Sequence, residues 1–174
     1  IYFISGVCGV GKSAVIPYLK KLLPDDKYNV RDFDERGVPD GAGHEWRKLE
    51  TKKWLEVAAD SAKSGVTTIV CGFVKTADFE GLVSGYMPDA EVILLDADAE
   101  TIRRRLIGRY TTDGTFDENQ KVIGKPVNEF IESNVNYCKV MREECGKEGC
   151  KIIETTHLTP EEVSRKIIDI IQQT

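Results

Sequence analysis

No run of apolar residues in the 174-residue chain approaches the length needed to cross a bilayer, so a spanning helix is not expected. No secretory signal stands at the start, although the chain begins at Ile1 without a Met and a few residues before it are open. Positive charge is not in excess. The net charge is −5, which argues against a protein built to hold a nucleic acid polymer. It leaves room for a local basic site that takes small anions. The five cysteines, Cys8, Cys71, Cys138, Cys145 and Cys150, are odd in number and scattered. No paired C-x-x-C spacing is present, so a zinc module is not expected and free thiols in a reducing, cytoplasmic setting are. Cys145 and Cys150 flank a Gly-Lys-Glu-Gly turn and are read as structural thiols. Internal repeats and low-complexity segments are absent. At 41% hydrophobic and 30% charged residues, the chain has the composition and length of one domain spanning residues 1–174.

What the chain does contain is concentrated at its beginning. Ile1-Tyr2-Phe3-Ile4-Ser5 is an apolar, β-branched and aromatic run that predicts a buried strand. It leads directly into Gly6-Val7-Cys8-Gly9-Val10-Gly11-Lys12-Ser13, which is G-x-x-x-x-G-K-S, the phosphate-binding loop pattern. Glycines let such a loop turn tightly and aim successive amides into one concavity. Lys12 is placed to reach β- and γ-phosphates, and Ser13 to offer its hydroxyl to Mg²⁺. Val15, Ile16, Leu19, Leu22 and Leu23 follow at helical spacing, so the loop opens a helix, with Pro17 as a misfit.

Strands and helices alternate thereafter, which predicts an α/β fold with a parallel sheet. The expected strands are Tyr28–Phe33, Val66–Cys71, Glu91–Asp96 and Lys151–Glu154. The expected helices are Glu45–Ser64 with an apolar stripe of Trp46, Leu49, Trp54, Val57, Ala58 and Ala62, a short one over Ala77–Tyr86, and one opened by Asp98. A further helix runs from Val127 to near Gly146, and a last one starts at Thr159-Pro160-Glu161-Glu162. Tyr110 to Lys125 has no sustained period and reads as a loop or small lid.

Ligands of open parallel sheets collect beyond the carboxyl ends of the strands. There the second strand supplies Asp32 and Asp34, with Arg36 beyond. One carboxylate suits a water on Mg²⁺, the other a proton from, or a hydrogen bond to, an acceptor. Lys75 follows the third strand, and Arg47 lies in the next helix; both are candidates for an acceptor's anionic group. Arg105 and Arg109 share a helical face, where an anion between them would relieve their repulsion. Val92–Asp96 has the look of a Walker-B strand, but no Glu follows and Asp96 reads as a structural residue. His44 and His157 read as loop residues, with no nucleophile spaced around either.

These features together resemble the P-loop small-molecule kinases, including adenylate, shikimate and gluconate kinases. Arg105-Leu106-Ile107-Gly108-Arg109 is similar to the R-[IL]-x-G-R segment of adenylate kinases, implying that Arg105 packs on adenine and Arg109 contacts phosphates. Ile152–Thr156 looks like the fifth-strand region that contacts the adenine edge, implying a role for Thr156. Asp32-Phe33-Asp34 resembles the D-x-D of shikimate kinases, implying Asp32 for Mg²⁺ and Asp34 for the acceptor. In adenylate kinases the third strand is followed by D-G-F-P-R; here it is Cys71-Gly72-Phe73-Val74-Lys75, with Lys75 where the acceptor-binding Arg would be.

The resemblance implies a three-layer P-loop fold with a five-stranded parallel sheet in order 2-3-1-4-5, an acceptor region over about 34–65 and a lid over about 110–125. The expected activity is ATP- and Mg²⁺-dependent phosphoryl transfer. Gly6 through Ser13, Arg105, Arg109 and Thr156 would hold the nucleotide, and Lys12, Asp34 and Arg109 would act on the reacting groups. Asp34, Arg36, Arg47 and Lys75 would meet the acceptor, and Ser13 and Asp32 the metal. The cations favour a phosphate acceptor, the carboxylates a hydroxyl. A nucleotide-binding switch or weak ATPase without an acceptor is the rival reading. A monomer or homodimer is expected, with no membrane partner.

Overall fold

The computed structural model describes residues 1–79, 81–82, 90–111 and 123–173. Five parallel strands form one sheet: β1 (Tyr2–Ser5), β2 (Tyr28–Asp32), β3 (Thr67–Cys71), β4 (Glu91–Asp96) and β5 (Lys151–Glu154). Their spatial order is β2-β3-β1-β4-β5. Five helices accompany them among the described residues: α1 (Lys12–Leu22), α2 (His44–Ala62), α3 (Ala99–Thr111), α4 (Val127–Glu148) and α5 (Pro160–Gln173).

Period-two alternation in the strands separates two apolar layers. Ile4, Ile69, Ile93 and Ile153 join Val15, Leu19, Ile102, Leu106, Ile131, Val135, Val163 and Ile167 from α1, α3, α4 and α5. Phe3 and Val70, one residue out of step, join Phe33, Trp54, Leu55 and Phe79 in a second core beneath α2. Trp54 is fully buried and donates its indole N–H to the Phe33 carbonyl at 3.2 Å. An aromatic of that size adds about 1.5–3 kcal/mol through burial, and its polar atom is satisfied.

Local chemistry sets the ends of the elements. Asp98 Oδ1 accepts the Thr101 amide at 2.6 Å and opens α3. Thr159 and Glu162 form a reciprocal capping box at α5: the Thr159 amide donates to Glu162 Oε2 at 2.8 Å, and the Glu162 amide donates to Thr159 Oγ1 at 3.3 Å. Pro17 is accommodated inside α1 on its exposed side.

Several expected boundaries move. The first three strands are each shorter by a residue; Phe33 lies just past β2, its amide still bonded to the Cys71 carbonyl at 2.9 Å and its ring in the second core. The long helix starts at His44 and ends at Ala62; Leu49 and Ala62 stand in solvent, and Leu55 with the polar Glu50 and Thr51 take the inner face. Expected helix Ala77–Tyr86 begins instead as a 3-10 turn over Thr76–Phe79; residues 80 and 83–89 lie outside the described residues. α4 runs past Gly146 to Glu148, with Gly149 as its left-handed cap. Of the expected lid, Tyr110 and Thr111 belong to α3, and residues 112–122 lie outside the described residues. Among the described residues no helix is long and apolar enough to cross a membrane.

Candidate functional site

β1 and α1 are joined by residues 6–11, and the loop's shape follows from its glycines. Gly6 has φ +143°, and a Cβ there would stand 2.5 Å from the Leu95 carbonyl oxygen and 2.7 Å from a Val10 methyl. No side chain fits. Lys12 Nζ reaches back to the Val7 carbonyl at 2.8 Å, closing the loop on itself. The Cys8 amide is held by Asn134 Oδ1 of α4 at 3.0 Å. The loop thus has defined supports on two sides.

A cavity of about 400 Å³ opens over this loop. Its walls include Cys8 through Val15, Asp32 at the end of β2 and Asp34 beyond it, Cys71 at the end of β3 with Gly72 and Phe73 beyond, and Arg105, Leu106 and Arg109 from α3. Thr155, Leu158, Pro160 and Val163 complete it. The carboxyl ends of four strands therefore converge where the switch-point rule for open α/β sheets puts ligands. β2 stops at Asp32, and Asp32 Oδ1 accepts the Asp34 amide at 3.0 Å. That turn, rather than continued strand, is what brings both carboxylates to one cavity.

The site's electrostatics follow from crowding of charge in a partly dry space. Burial pulls the Lys12 ammonium below its ordinary pKa, while Cys8 and Asp34 pull the other way. Burial pushes the Asp34 carboxyl up, Asp32 and Glu50 add to the rise, and Lys12 opposes it. Burial and Asp32 push the Cys71 thiol up to about 12, so it stays protonated.

Arg105 has a structural task in this arrangement. Its guanidinium donates to the Gly9 carbonyl at 3.1 Å, to the Thr155 carbonyl at 2.9 Å and to Thr155 Oγ1 at 3.2 Å. Thr155 Oγ1 in turn stands 2.9 Å from the carbonyls of both Val10 and Asp96, which share its one proton. Together they fasten the β1–α1 loop to the end of β5. Arg105's own pKa is lowered, first by burial and then by Arg104.

Other expected site residues are placed elsewhere. Gly6 and Val7 do not line the cavity: Gly6 permits the turn, and Val7 is core. Arg36 lies over the Trp54 ring at 3.7 Å and pairs with the buried Glu50. Arg47 stands 5.4 Å from the Phe73 ring and 3.5 Å from the buried carboxylate of Asp78, with its Nε buried and unbonded. Lys75 Nζ sits 4.4 Å from the Tyr137 ring centre, and its amide bonds Asp78 at 2.9 Å. Thr156 bonds Glu154 and Asp98 outside the cavity. Asp96 is held by Arg142, with the Cys138 thiol at 3.0 Å, as a structural residue.

Thr155, Asn134 and Phe73 were not singled out from the sequence. For Thr155 and Phe73 the signal was their position directly after a strand. Asn134 left none, because it reaches the loop from a helix 126 residues away in the chain.

No protein-family model matches the chain, and none of the curated proteins matches it in sequence. Solved structures do match in shape. A sugar kinase from Janibacter sp. superposes with a TM-score of 0.60 at 19% identity, over 98% of this chain and 93% of that one. A shikimate kinase from Acinetobacter baumannii, solved with shikimate, gives 0.55 at 17%, over 99% and 92%. A thymidylate kinase from Candida albicans gives 0.57 at 14%, over 99% and 90%. The chain has an α/β P-loop kinase-like fold.

Proposed function

We propose that this chain, as one kinase domain over residues 1–174, transfers a phosphoryl group from ATP to a hydroxyl of a small-molecule acceptor. The carrying observation is that the P-loop, with Lys12, and the carboxylates Asp32 and Asp34 face one cavity. Arg36, Arg47 and Lys75, the cations a phosphate acceptor would need, do not line it. The residues fit a nucleotide and its ion. Gly6 permits the turn that starts the loop, and Lys12, Ser13 and Asp32 all line the cavity, a cation for phosphates and two oxygens for the ion. Among the described residues no cluster of three or more acidic, His or Cys side chains could cage a metal. That suits Mg²⁺, which is held by one or two protein oxygens together with phosphates.

ATP with Mg²⁺ would supply the transferable phosphoryl group and screen its charge. The loop from Cys8 to Ser13 binds phosphate oxygens through main-chain amides, helped by the N-terminal end of α1. Lys12 and Arg109 hold negative charge on the side facing the cavity. Arg105 acts as a positioning residue: it fixes the loop carbonyls so that the amides point outward. Asp34 accepts the proton of the acceptor hydroxyl, and its raised pKa makes it a better base. The acceptor region comprises about 34–65 and the end of β3, with a lid over about 110–125. The free cysteines accord with a reducing, cytoplasmic setting.

The test is ADP release in the presence of ATP–Mg²⁺ and a panel of hydroxy acids, sugars, sugar acids and nucleoside monophosphates. A hydroxyl acceptor should raise ADP release well above the rate without acceptor. Phosphorylation of nucleoside monophosphates alone would overturn the hydroxyl assignment. Slow hydrolysis that no acceptor accelerates would favour the switch or weak-ATPase reading.

A further inference from the structure

The end of α4 brings two thiols together. Gly149 adopts a left-handed conformation, φ +73°, and its amide turns back onto the Cys145 carbonyl. The Cys150 amide bonds the same carbonyl at 3.0 Å. This is a Schellman turn, in which the residue after the left-handed glycine packs its side chain on the helix residue five positions earlier. In most helices that contact joins two hydrocarbons. Here it joins Cys145 and Cys150. Both thiols line one small cleft with Val74, Lys75, Met141 and Glu144, separate from the nucleotide cavity. Both are free; Cys145 is buried and Cys150 half-buried. Burial, then contact with the Cys150 thiol, raises the Cys145 pKa. The more accessible thiol is therefore the one to react first, with a protonated partner behind it.

We propose that Cys145 and Cys150 are a modification site that closes reversibly into an intrachain disulfide by exchange with a low-molecular-weight disulfide of the glutathione class. The Cys150 thiolate attacks one sulfur of the small disulfide, forming a mixed disulfide and releasing one small thiolate. Cys145 gives its proton to solvent and, as the thiolate, attacks the Cys150 sulfur, releasing the second small thiolate, which is protonated in turn. Two protein thiols lose two electrons, and one small disulfide is reduced to two thiols, so the balance closes. The six-residue turn from Cys145 to Cys150 holds the sulfurs together before reaction, which favours the second step over hydrolysis or a second mixed adduct. Cys71 and Cys138 are buried and remain reduced.

The experiment equilibrates the folded protein with oxidised and reduced glutathione at varied ratios, quenches with acid, alkylates and digests with trypsin. Cleavage after Lys147 separates Cys145 from Cys150, so the bond links peptide 143–147 to peptide 148–151. The expected result is that linked pair, with a mass loss of about 2 Da relative to the two thiols, reversed by dithiothreitol. Cys150→Ser should abolish it while Cys145 stays unmodified. A mixed adduct on Cys150 without linkage, both thiols unreacted under excess oxidised glutathione, or a bond from either one to another cysteine would each overturn the proposal. The linkage is read by mass and is independent of the kinase reading.

Discussion

Asp34 carries a charge that the fold disfavours. Its folded-state pKa lies above the unfolded value, so the folded state binds the proton more tightly and stability falls as pH rises through the carboxylate range. The cost is fully present above the folded pKa and absent below the unfolded one. Asp34→Asn should therefore unfold at a higher temperature than the parent near neutral pH, and the gain should shrink to nothing as pH is lowered below about 4. In the proposed reaction the same change should lower turnover by about 10²–10⁴-fold while ATP affinity, read by calorimetry, is kept. The parent's acid limb in kcat/KM should have its midpoint above the ordinary Asp value, because the ionised form is the base. Unchanged turnover in the variant would remove Asp34 from that role. At Arg105 the sequence indicated a helix face and an anion. Its bonds to Gly9 and Thr155 depend on three segments meeting, which spacing along the chain does not encode. Arg105→Ala should weaken ATP binding about 10-fold or more, since charged hydrogen bonds of this kind contribute about 1.5–3 kcal/mol.

At the level of elements, the junctions after β1 and β3 are held by close backbone approach. A Cβ on Gly72 would fall 2.0 Å from Phe33 Cβ, in the packed core beneath α2. Gly72→Ala should cost about 1–3 kcal/mol by overpacking, lowering Tm by roughly 2–10 °C in a chain of this size. A melt within a degree of the parent would show that Phe33 yields freely. Thr159→Ala removes the capping box of α5 and should cost about 1 kcal/mol, without altering the cavity walls. The cap was legible because Thr-Pro-Glu-Glu encodes its own hydrogen bonds locally. The inner face of α2 was not: Glu50 is buried because Arg36, from a distant loop, pairs with it over Trp54, whereas Leu49 is turned to solvent.

For the molecule as a whole, the cavity belongs to no single segment. Binding of a nucleotide to the folded state alone should stabilise it by mass action, by about 2.7 kcal/mol at a hundred times Kd. The melting temperature should accordingly rise with ATP–Mg²⁺, and Lys12→Ala should abolish most of the rise. A parent melt that ignores saturating ATP–Mg²⁺ would remove the basis of the functional proposal. The succession of strands and helices came through from the alternating apolar periods and the strand–loop–helix opening, whereas the sheet order came only through the resemblance to P-loop kinases, because alternation does not fix which strands are neighbours.

The glycine-rich loop after β1, the succession of strands and helices and the capped start of α5 were written in the chain itself, because each rests on residues within a few positions of one another. Which cations face the cavity was decided only by folding. Arg36, Arg47 and Lys75 have the charge to bind an acceptor, but Trp54, Phe73, Tyr137 and the buried acids Glu50 and Asp78 hold them where they are. Pairing a buried carboxylate and covering an aromatic ring are demands of the packed core, and they arise only once distant segments have met.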